Sequence, residues 1–257
     1  ESRGLGDVYK RQMSKRMNLP ERAKETAVTE WENIKATNTE LPDMKGWQCT
    51  CGIDYMKVTD FASVNLHFKK GEERFDINHS WICSHSKDLP RIKAPWQQWV
   101  KEGRITYIDD VEIHPSIITD YIFEMGKQYN IKMVLLDNFR FTLLSDALAK
   151  IGFRTEAGNL RLISQMDILR IVPVIDHCFA NQYFCWGDNP VLRWSVNNTK
   201  LVPYGKKAGI DRGSFVYAKI EAKSRKNDPF MALVASMIGE GEIKEYVPLT
   251  DKTPLVL

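Results

Sequence analysis

Apolar and polar residues alternate sharply between positions 62 and 70. Val64, Leu66 and Phe68 fall on one side and Ser63, Asn65 and His67 on the other, the period of two that marks a half-buried strand. The preceding stretch, "WQCTCGIDYM" from Trp47, also reads as a strand, with a turn at 57–60 between the two. Gly71-Glu72 then turns the chain into "RFDINHSWICS". Three hairpin-linked strands therefore open the folded region.

Strands and helices alternate after that. "APWQQWVKEG" predicts a short helix closed by Gly103, and "RITYID" a short strand. Pro115 opens a helix with Ile117, Ile118, Tyr121, Ile122 and Met125 on one face. "IKMVLLD" is a continuous apolar strand, buried on both sides, that stops at Asp137. A helix through Phe141, Leu144, Ala147, Leu148 and Ile151 leads past Gly152 to a brief strand. Another helix is predicted near 173–183, before "GDNPVLRWSVNNTKL", and a basic hairpin over about 200–224. In "RKNDPFMALVASM", Asp228 reads as an N-cap and Pro229 as the first helical residue. Phe230, Leu233, Val234 and Met237 give that last helix a buried face. This order predicts an α/β domain on one mixed sheet with helices on both faces.

The first twelve residues, "ESRGLGDVYKRQ", carry no such pattern and resemble translated sequencing-adapter read-through, so 1–12 is expected to be a non-native extension. Residues 13–45 are polar with one helical pattern around 27–34, and are expected to form a linker. Residues 46–257 are expected to form the domain.

Composition narrows the function classes only slightly. No apolar run nears the roughly 18 residues that span a bilayer, which predicts a soluble chain without a membrane partner. Lys+Arg 36 against Asp+Glu 33 gives +3, too little to establish a nucleic-acid partner. Charge is uneven, however. Residues 200–226 carry Lys200, Lys206, Lys207, Arg212, Lys219, Lys223, Arg225 and Lys226 against Asp211 and Glu221. Such a stretch is either a phosphate-binding surface or a solvated hairpin. Five scattered cysteines suit a reducing compartment and match no common zinc frame. No Walker-type phosphate loop, dinucleotide fingerprint or nucleophile elbow is present.

Three carboxylates sit in unusual places. Asp54 lies inside the first strand pattern, where Asp is a poor strand former. Asp137 ends the most hydrophobic strand, and Asp228 starts the last helix. Each alone has an ordinary explanation as a turn or cap residue. If the strands of Asp54 and Asp137 are neighbours and the last helix packs across that edge, the three acids meet. Clustered carboxylates repel unless a divalent cation neutralises them.

"CGIDYMKVTDFASV", "KMVLLDNF", "GDNPVLRWSVNNTKL" and "SRKNDPFMALVASM" occur in the order found in the nuclease domain of tailed-phage terminase large subunits. The chain resembles that family over roughly 15–240, and "KRMNLP" resembles the segment joining its ATPase domain to its nuclease. The resemblance implies a ribonuclease-H-like fold and a divalent-metal-dependent endonuclease that cuts concatemeric double-stranded DNA during genome packaging. Asp54, Asp137 and Asp228 match its catalytic, metal-binding acids, and two Mg²⁺ or Mn²⁺ ions are implied as cofactors. Lys223, Arg225 and Lys226 are the expected DNA phosphate contacts. Portal protein and the small terminase subunit are the implied partners, in the cytoplasm of a bacterial host. Residues 13–45 then become a linker from an ATPase domain missing here.

Departures from the family pattern are Pro229 after the third acid and Tyr55-Met56-Lys57 where a small hydroxyl residue often follows the first. Asp60 is expected to stabilise its turn, with Asp109 and Asp110 as reserve acids and His114 and His177 structural. Two rival readings stay open: another ribonuclease-H-like enzyme of resolvase or transposase type, and a non-catalytic module that docks on DNA or portal.

Overall fold

The computed structural model describes residues 26–205 and 214–244. Along them run α1 (Trp31–Ala36), β1 (Gln48–Asp54), β2 (Ala62–Lys70), β3 (Glu73–Cys83), α2 (Trp96–Lys101) and β4 (Ile105–Ile108). Next come α3 (Pro115–Gly126), β5 (Asn130–Asp137), α4 (Asn138–Lys150), β6 (Leu160–Ile163), α5 (Gln165–Ala180) and β7 (Phe184–Cys185). The remainder is α6 (Pro190–Asn197), the hairpin of β8 (Thr199–Pro203) and β9 (Phe215–Lys219), and α7 (Asp228–Ile238).

The sheet order is β4-β3-β2-β1-β5-β6, with β7 beside β3. β1, β2 and β3 form the expected antiparallel meander, while β5 and β6 run parallel to β1. One sheet face carries Cys51, Ile53, Val64, Leu66 and Phe68, packed against Ile118 and Ile122 of α3 and Leu144 and Leu148 of α4. This is the apolar half of the alternation.

The polar half differs from expectation. β2 is buried on both faces except at its last two residues, because α7 lies across β1, β2 and β5. Ser63, Asn65 and His67 are covered by the helix rather than by water, so each needs an internal partner. Ser63 bonds Ser80, Asn65 Nδ2 donates to Asp76 and to Ser236 Oγ, and His67 meets Asp76 and Glu240. Thr50 Oγ1 donates to the Ser236 carbonyl at 2.8 Å, and Asn78 Nδ2 to that of Pro229 at 3.1 Å. These bonds pin α7 to the sheet. Its opposite side buries Phe230, Leu233, Val234 and Met237 with Ile34 of α1, Ile175 and Phe179 of α5 and Leu192 of α6.

Two boundaries also move. α5 starts at Gln165 rather than near 173, through a capping box in which Ser164 and Asp167 satisfy each other's backbone N–H groups, and Pro173 is inside it. Over 26–45 the segment expected as a linker packs on the domain. Ile34 is fully buried, and the carbonyls of Thr37 and Thr39 accept from Trp186 and Gly187 N–H at 2.8 and 3.0 Å.

Candidate active site

The parallel register of β1 and β5 sets Ile53 opposite Leu136, so Asp54 and Asp137 come next on adjacent strands about 4.8 Å apart. Both sit at the carboxyl ends of their strands, the end where open α/β sheets ordinarily place ligands. Asp137 also serves its helix: Oδ1 accepts from Arg140 N–H at 2.8 Å and caps α4. Asp228 comes from α7, which lies close over β1. A Cβ on Gly52 would overlap the Ala232 carbonyl and the Ser236 amide. Only glycine allows this approach, and it carries the start of α7 to the end of β1.

Asp228 is not the expected N-cap. Asn227 holds that position, and Asp228 is the first helical residue, 3% exposed. Its Oδ1 accepts from Lys219 Nζ at 3.0 Å, whereas among the described residues its Oδ2 meets no donor. Lys219 Nζ also donates to Asp60 Oδ2 at 2.7 Å. A cleft of about 240 Å³ opens here, with Asp54, Asp60, Arg140, Lys219, Asn227 and Asp228 in its wall.

Burial first, and neighbouring charges second, set the electrostatics of these acids. Burial raises the Asp54 carboxyl well above its ordinary range, Asp228 and Asp137 push it further, and Lys219 opposes them. Burial likewise raises Asp228, against the pull of Lys219. Asp60 ends lowered, because Lys219 and Lys226 outweigh its desolvation. Burial works against the Lys219 ammonium, yet Asp228 and Asp60 hold its pKa above the usual value. Asp54, Asp60 and Asp228 thus share the cleft wall with Lys219 and Arg140, while Asp137 stands at the neighbouring strand end.

Among the described residues no group of three His, Cys, Asp or Glu side chains is gathered tightly enough to hold a metal ion. The reason is local. Asp228 and Asp60 turn to Lys219, and Asp137 turns to its own helix. The donor set nonetheless suits a hard cation, since among the described residues the buried Asp228 Oδ2 and Asn227 Oδ1 are oxygen acceptors without a donor. Of the three acids expected to hold it, Asp54 and Asp228 line the cleft, and Asp137 ends the adjacent strand.

The basic residues separate by burial. Lys226, expected to meet DNA, has no exposed side chain. Its ammonium bonds Asp60 Oδ1, Asp88 Oδ2 at 2.6 Å and the Ala222 carbonyl at 3.1 Å. It is an internal bolt between two loops, and this withdraws it as a phosphate contact. Arg225 is largely buried and pairs with Glu221 at 3.8 Å. Lys223 is exposed. Lys206, Lys207 and Arg212 lie outside the described residues. The same bolt fixes a neighbouring loop bearing exposed Lys87, Arg91 and Lys93, which no local pattern had signalled. Lys219 and Arg140 were also missed as cleft residues. Arg140 follows Asp137 by one helical turn, a spacing that would have pointed to it.

The family model described as terminase large subunit, endonuclease domain, matches residues 6–237. No curated protein matches the chain. Among solved structures, the HK97 bacteriophage large terminase superposes with TM-score 0.69 and 16% identity, over 83% of this chain and 43% of that one. The chain therefore spans less than half of that terminase. The large terminase nuclease from thermophilic phage G20c gives 0.52 and 9%, over 82% and 97%. A structure of the G20c nuclease with bound magnesium gives 0.48 and 9%, over 82% and 96%. At these identities the likeness is one of fold.

Proposed function

Given that the chain belongs to the terminase large subunit endonuclease domain family, we propose that it is a divalent-metal-dependent endonuclease acting on double-stranded DNA. One observation carries the metal reading: among the described residues, buried acceptor oxygens of Asp228 and Asn227 lack donors in the cleft that Asp54 also lines. Asp54, Asp137 and Asp228 act as cation ligands. A pair of Mg²⁺ or Mn²⁺ ions, when bound, supplies an activated water and stabilises the leaving oxygen of the phosphodiester. The sheet and α7 hold the acids in place, and the cleft wall orients the phosphate through Arg140. Lys219 neutralises Asp60 and Asp228.

Exposed Lys223, Lys87, Arg91 and Lys93 provide phosphate contacts beside the cleft, where charge supplies most of the nonspecific affinity. We place the domain in genome packaging, cutting concatemeric DNA in the host cytoplasm alongside portal protein and the small terminase subunit.

The non-catalytic docking reading has one observation in its favour: Lys219 already bridges Asp60 and Asp228. A crystal soaked in Mn²⁺ separates the two. The nuclease reading expects anomalous density about 2.1 Å from oxygens of Asp54 and Asp228. Density elsewhere, with Lys219 still bridging at saturating Mn²⁺, supports the docking module.

A further inference from the structure

We propose that the side-chain carbonyl of Asn227 is a further oxygen ligand in the same cation site, a role that rests on the metal reading above. Asparagine is favoured at helix N-caps because its side-chain oxygen accepts from the second or third helical N–H. Asp137, Ser164 and Asn189 each use their side chain in this way, at the starts of α4, α5 and α6. Asn227 caps α7 by position, yet its side chain makes no such bond. Pro229 takes the second helical position and has no N–H to offer.

The oxygen left over is buried. Asn227 is 2% exposed, and its Oδ1 meets no donor among the described residues. Next to it in sequence, Asp228 Oδ2 is in the same condition, and both residues line the cleft with Asp54 and Asp60. An acceptor oxygen repels the oxygens of a phosphate, so what suits this pair is a cation. Neutral amide carbonyls are ordinary ligands for hard divalent ions. Asn227 thus adds coordination without adding charge to a crowded set of carboxylates.

The test is Mn²⁺ titration calorimetry together with thermal melting in EDTA, on wild type, Asn227→Leu, Asn227→Asp and Asp228→Asn. Asn227→Leu is expected to weaken Mn²⁺ binding about tenfold or more while the metal-free melting temperature holds or rises. Asn227→Asp is expected to retain the affinity. Wild-type Mn²⁺ affinity in Asn227→Leu, with loss in Asp228→Asn, overturns the Asn227 role and leaves the metal reading standing. A lowered metal-free melting temperature with unchanged affinity identifies Asn227 as structural only, and also overturns it. Absence of Mn²⁺ binding by wild type, or binding unaffected by Asp228→Asn, overturns the metal reading and the ligand role together.

Discussion

Gly52 of β1 lies directly beneath Ala232 of α7, so close that a methyl group on Gly52 would enter the Ala232 carbonyl. This contact brings Asp228 to the end of the strand that bears Asp54. Gly52→Ala is therefore expected to lift α7, destabilise the fold by about 2 kcal/mol and reduce DNA cleavage more than the stability loss explains. Gly126→Ala, where a Cβ meets nothing within 4 Å, is the comparison and is expected to be neutral or stabilising. Chemical denaturation of both variants checks this.

Lys226 and Lys223 are expected to fail in opposite ways. Lys226→Met removes the buried ammonium shared by Asp60 and Asp88, leaving them, among the described residues, only Lys219 and Arg91, and a loss of about 3 kcal/mol is expected from breaking a buried pair. Lys223→Gln is expected to leave the melting temperature alone. It should lower the salt-dependence slope of duplex binding by about 0.9, one phosphate's worth. Melting curves and fluorescence anisotropy across salt concentrations distinguish them.

His67 makes stability depend on pH. Burial disfavours its imidazolium, but Asp76 and Glu240 outweigh that and raise its pKa to about 9. Since the folded value exceeds the ordinary 6.5, the contribution is complete below pH 6.5 and is lost as pH rises towards 9. Urea midpoints are expected to fall across that window, by up to about 3 kcal/mol in stability. His67→Gln should flatten the decline. A wild-type midpoint that is level from pH 6.5 to 9 contradicts the imidazolium assignment.

Periodicity made most of the sheet and its helices legible, because alternation in 62–70 and the apolar run 133–136 respond to local neighbours; burial on both sides of β5, expected over its length, holds only for 134–136. The same pattern put Asp54 and Asp137 on strands, but left the adjacency of those strands as a condition, which the β1–β5 pairing meets. What covers the polar side of β2 did not. Ser63, Asn65 and His67 read as solvent-facing, and the helix that buries them lies more than 150 residues later in the chain. Lys226 failed for a related reason: a basic run shows charge but not the buried Asp60 and Asp88 that absorb it. Asp228 was displaced by one position because Asn and Asp are equally good caps, and only the backbone shows which residue the helix includes.

Cleavage of supercoiled plasmid in Mn²⁺ or Mg²⁺, by wild type and by Asp54→Asn, Asp137→Asn and Asp228→Asn, tests the assignment of a metal-dependent nuclease to these acids most directly. Wild type is expected to nick and linearise the plasmid only when the metal is present, and each substitution to reduce the rate at least 100-fold, about 2.7 kcal/mol in transition-state stabilisation. Plasmid left intact by wild type with either metal, or cleavage that survives all three substitutions, contradicts it.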